Sequence, residues 1–152
     1  MHPPHGEVTA RPASEEAAFA GPVDFPHGLP GFPGARRFEL RPLEGAPGFA
    51  ELRSLEDPSL RLPLAALPAD ATAPAPAELA SVCGLVGLRP EGLRIYYVVT
   101  LAPGDPPRAW VNLRAPVLVD PDARRGVQVV LADPRYPLRC PLPPRPAVPS
   151  GP

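Results

Sequence analysis

The chain contains no lysine: its fifteen basic residues are all arginine, set against sixteen carboxylates for a formal net charge of −1. Nucleic-acid binding draws on several phosphate contacts from a basic surface, so this balance argues against RNA or DNA as a direct ligand. Long apolar runs are missing too. Nowhere do eighteen apolar residues follow one another, and the opening MHPPHGEVTARP lacks the apolar stretch of a secretory signal. A cytoplasmic location with no membrane association is expected. Cysteine is scarce: Cys83 and Cys140 stand far apart with no CxxC or Cys/His spacing near either, and they read as free thiols. Asn, Gln and Ile occur once each. With the absence of lysine this points to a bias for GC-rich codons, so proline-rich pieces such as PLPPRP are discounted as binding motifs.

Proline is what the chain has in excess. There are 28 prolines and 13 glycines in 152 residues. That frequency leaves few stretches of helical length and excludes a helical bundle. Leu, Val, Phe and Ile nevertheless make up a quarter of the chain, enough for a small core. A mostly β domain of short strands with one short helix satisfies both constraints. Three segments are expected: an N-terminal arm over 1–16, a folded domain over 17–142, and a proline-rich disordered tail over 143–152.

Within the domain, residues 17–24 are expected to form an edge strand. FPHGLPGF follows, a compact turn in which Gly28 and Gly31 hold backbone angles closed to other residues and Phe25, Leu29 and Phe32 are buried anchors. RRFELR alternates with period two, placing Phe38 and Leu40 on one face. FAELRSLEDPSLRLPL reads as two strands about a Glu56–Ser59 turn, the second placed at an edge because Pro63 donates no ladder hydrogen bond. AELASVCGLVGL after Pro76 is the one helix, with Leu79, Val82, Cys83 and Val86 on its apolar face. LRIYYVVTLA, RAWVNLRAPVLV (interrupted at Pro116) and GVQVVL form the sheet interior, and RYPLRCPL adds a last edge strand. Alternation should turn one of Tyr96 and Tyr97 inward and the other to solvent.

Chemistry finds little support. The three histidines are His2 and His5 in the arm and His27 in the turn, and no GxSxG surrounds any serine. His2 and His5 supply two metal ligands at most. The carboxylate pairs Glu15/Glu16, Glu56/Asp57 and Asp120/Asp122 lie in the arm or in turns, where solvation accounts for them. No catalytic residue, metal or cofactor is assigned. A small hydrolase-like enzyme built on His27 and a nearby carboxylate, and a proline-rich interaction protein with little fold, stay as alternatives.

Three ordered blocks carry a family resemblance. VDFPHGLPGF with RRFEL, FAELRSLEDPSLRLPL, and VNLRAPVLVDPDARRGVQVVLADPRYPLRCPL resemble successive blocks of the FliW family of bacterial flagellar assembly factors, over about residues 20–142. Asn112, Ala115, Pro116, Gln128 and Tyr136 fall at matching places. The resemblance implies a small, non-enzymatic, β-barrel-like cytoplasmic domain that binds newly made flagellin. It further implies binding to CsrA, an RNA-binding translational regulator, which relieves repression of flagellin synthesis. A monomer is expected. The residues selected for partner contact are Tyr97, Asn112, Asp120, Asp122, Gln128 and Tyr136, on the late strands and the Asp120–Arg125 turn. For Asn112 and Gln128 a second role stays open, satisfying backbone groups at a bulge. Phe25, Gly28, Gly31, Phe32 and Pro116 are assigned structural roles.

Overall fold

The structure, a computed structural model, describes residues 19–68 and 71–142. The arm assigned to 1–16 and the tail assigned to 143–152 lie outside the described residues. Among the described residues nine strands and one helix follow in the order β1 (Gly21–Asp24), β2 (Arg37–Pro42), β3 (Phe49–Ser54), β4 (Arg61–Ala65), α1 (Pro76–Val86), β5 (Arg94–Ala102), β6 (Arg108–Val111), β7 (Val117–Asp120), β8 (Arg125–Gln128) and β9 (Cys140–Pro141). Neighbours run β4-β3-β2-β1-β8-β7-β5, and β4 also pairs with β5, so these seven strands close into a barrel. β6 and β9 extend the sheet beyond β5. All pairings are antiparallel except the single parallel contact of Asp24 in β1 with Arg125 in β8.

Strand alternation sorts the apolar residues into two cores. Val23, Phe38, Leu40, Leu52, Leu64, Tyr96, Val117 and Val119 fill the barrel with Phe25 and Leu29. Residues one step out of phase, Ile95, Tyr97, Val99 and Leu118, point outward into a second core with Leu79 and Cys83 of α1 and Leu131 and Tyr136 of the C-terminal segment. Pro76 occupies the first turn of the helix, where its missing N–H costs nothing, and Gly87 ends it at φ 78° with its N–H bonded to the Cys83 carbonyl. Burial pushes the Cys83 thiol up from its ordinary pKa.

The FPHGLPGF turn closes one end of the barrel. Gly28 and Gly31 both lie at positive φ, 68° and 85°. A Cβ on Gly28 would fall 2.5 Å from the Pro33 carbonyl oxygen, so only glycine fits there. Phe25 meets Phe38 edge-on at 5.3 Å between ring centroids. Its ring also presses on Gly126 of β8, where a Cβ would approach within 2.6 Å.

Four expectations are corrected. Phe32 is not a buried anchor: it is 45% exposed, because Phe25 and Leu29 already fill that end of the barrel. The first strand begins at Gly21 among the described residues and is interior, held between β2 and β8. β4 is not an edge strand. Its ladder with β5 comprises only Leu64 with Val98 and Ala65 with Tyr97, so Pro63 stands just outside it and withholds no ladder donor there. RAWVNLRAPVLV is two strands, β6 and β7, which pair with successive lengths of β5. The break begins at Asn112, ahead of Pro116, where the chain folds into a turn closed by the Ala115 N–H on the Asn112 carbonyl.

Candidate partner-binding surface

The side chains selected for partner contact divide by depth. Tyr96 and Tyr97 are both buried, correcting the expectation that one faces solvent: Tyr96 points into the barrel and Tyr97 into the core beneath α1. Alternation does place them on opposite faces, yet barrel closure and the helix cover both. Burial drives the Tyr97 phenol well above its ordinary pKa, and its Oη has no hydrogen-bond partner among the described residues. Tyr136 is equally buried but fully engaged. Its Oη donates to Glu78 Oε1, accepts the Ala75 N–H at 3.2 Å and accepts from Arg135 at 2.8 Å. Its carbonyl accepts the Arg114 Nε–H at 3.0 Å. One tyrosine thus ties the start of α1, the C-terminal segment and the Asn112–Pro116 turn together.

Asp120 is also interior, 1% exposed at the end of β7. Its Oδ1 accepts the N–H groups of Asp122 and Ala123 at 3.1 and 3.2 Å, shaping the turn into β8. Oδ2 faces Arg89, whose guanidinium reaches on to the exposed Asp122 at 2.9 Å. Asp122 alone of the six is fully at the surface. The half-buried Asn112 and Gln128 serve one loop from both sides: Asn112 Oδ1 accepts the Arg114 N–H at 2.9 Å, and Gln128 Nε2 donates to the Ala115 carbonyl at 3.1 Å. Both amides therefore carry out the backbone-satisfying role left open for them. His27 is exposed in its turn. Among the described residues no group of three or more His, Cys, Asp or Glu is placed to hold a metal ion.

Sequence reasoning missed a concavity on the barrel wall. Beyond the short β4–β5 ladder the two strands part, leaving a groove of about 620 Å³ lined by apolar side chains that include Phe49, Pro63, Leu101, Trp110 and Leu142. Leu101 is 67% exposed. The available signal was its place in phase with Tyr97 and Val99 on β5; the parting of β4 from β5 had none. Glu56 and Asp57, by contrast, satisfy backbone near at hand in space: Asp57 accepts the Ser59 N–H at 3.1 Å within its own turn, while Glu56 accepts the Arg36 N–H at 2.9 Å and that of Arg37 at the start of β2, and both bonds hold its carboxyl below the usual range.

The chain's residues 6–142 match the family model described as FliW protein. The flagellar assembly factor FliW of Symbiobacterium thermophilum is 38% identical over 124 residues, covering 78% of this chain and 87% of that one. The protein of the same description from Thermotoga maritima is 33% identical over 130 residues, 83% of either chain. A crystal structure of the flagellar assembly factor FliW superposes with a TM-score of 0.62 at 24% identity, over 79% of this chain and 84% of that one, which supports the fold.

Proposed function

The chain belongs to the FliW family of flagellar assembly factors, and on that premise we propose that it works without catalysis as a partner switch, binding newly made flagellin and the translational regulator CsrA in turn. Release of CsrA-imposed repression would then follow the supply of flagellin. The observation that carries the reading is the family match over 6–142, which spans all three sequence blocks. The near-balance of arginine and carboxylate supports a protein ligand over a nucleic acid. We place the action in the cytoplasm; no helix among the described residues is long and apolar enough to cross a membrane.

For partner contact, Asp122, Asn112 and Gln128 are the selected residues with surface to offer, while Tyr97, Asp120 and Tyr136 would act from beneath by holding that surface in shape. The enzyme alternative needs His27 at the floor of a pocket beside an acid, and its exposed position argues against that reading. The test is calorimetric titration of the full chain with flagellin and, separately, with CsrA from the same organism. Saturable binding of both is expected. Binding of neither would end the proposal.

A further inference from the structure

The groove between β4 and β5 carries a charge pattern that its apolar lining does not explain. Among the described residues its only charged lining groups are Arg108 and Arg139, and none of those lining residues is a carboxylate. Neither forms an ion pair among the described residues; Arg139 instead lies with its guanidinium 4.9 Å from the centre of the Trp110 ring. The concavity thus combines an exposed leucine, an indole and two cations without counter-charge. An occupant that covers the apolar lining and brings a carboxylate gains burial and charge-assisted hydrogen bonds together. A basic occupant would meet repulsion. Residues 143–152 of the chain, PPRPAVPSGP, carry Arg145 and no acidic side chain, so the same charge argument favours them less.

We propose that this groove docks a peptide segment of a protein partner that presents apolar side chains beside a carboxylate. The inference goes beyond the partner switch, since it assigns a site and a ligand chemistry whichever protein supplies the segment.

Trp110 is the only tryptophan in the chain, so its emission reports on the groove directly. The probe is a blocked hexapeptide of alternating leucine and glutamate, titrated into the full chain beside its leucine–lysine counterpart. The glutamate peptide should shift Trp110 emission saturably and bind about tenfold more tightly, the scale of 1.4 kcal/mol of charge-assisted contact. Leu101→Asp should weaken it. In the Arg108→Glu/Arg139→Glu variant the preference should reverse to the lysine peptide, whereas Arg61→Glu/Arg125→Glu, the same change of net charge at exposed positions outside the groove, should leave the glutamate peptide preferred. Equal response to both peptides, or a preference unchanged by the charge swap, would overturn the proposal. So would a shift in Trp110 emission on truncation after Leu142, which would place residues 143–152 in the groove. Concentration-dependent dimerisation abolished by Leu101→Asp would place a second copy there, with the same consequence.

Discussion

Tyr97 and Tyr136 share one core, yet their hydroxyls meet opposite circumstances: one has no partner among the described residues and the other has three. A buried hydroxyl without a partner costs about 1–3 kcal/mol, whereas one removed from a satisfied network leaves its partners stranded. Tyr97→Phe should therefore keep or raise stability, within about 1 kcal/mol, and Tyr136→Phe should lower it by about 1–2 kcal/mol. Urea denaturation of the two variants checks the contrast, and equal losses would contradict the assignments. Glu56 gives a second test at this scale. Its folded pKa is lowered by the Arg36 and Arg37 N–H bonds, so the stability it contributes is present above the ordinary value of 4.5 and is lost as pH falls through the lower folded value. An NMR titration should place its midpoint below 4.5; a midpoint at or above that value would show the two bonds to be absent. Single residues were legible in the sequence where backbone angle dictates identity, as at Gly28. They were illegible where depth depends on what covers a strand, as at Tyr97 and Asp120.

At the scale of the element, α1 and the Asn112–Pro116 turn show how local chemistry sets boundaries. Gly84 lies mid-helix, exposed, with nothing within 4 Å of the place a Cβ would take. Gly84→Ala should stabilise the protein by about 0.5–1 kcal/mol, read as a higher midpoint in thermal denaturation; destabilisation would mean that the helix does not run through that position. In the turn, Asn112 and Gln128 hold the same loop, so their alanine variants should each cost about 1 kcal/mol and couple in a double-mutant cycle. Strict additivity there would argue against a shared role. Periodicity located β2, β3, β5 and α1, because alternation and helix signals are local. It did not separate β6 from β7: the break rests on an Asn112 side chain reaching the Arg114 N–H, and only afterwards on Pro116.

For the whole molecule, closure is the decisive fact. The β4–β5 pairing joins strands on either side of α1, so no local pattern announces it. Once made, it buries Tyr96 inside the barrel, leaves Tyr97 to be covered by α1, and opens the groove where the ladder stops. Three ordered blocks mark the family in the sequence itself, yet which side chains reach the surface is set by closure. The surface we propose for partners comprises Asp122, Asn112, Gln128 and the groove with its two arginines, on a molecule whose proposed work is exchange between protein ligands. The most direct test of that exchange is a competition titration: CsrA is titrated into the 152-residue chain, free and then saturated with flagellin from the same organism. The partner switch predicts saturable CsrA binding to the free protein and a loss of apparent affinity once flagellin is bound. CsrA binding that is unchanged by saturating flagellin would contradict it.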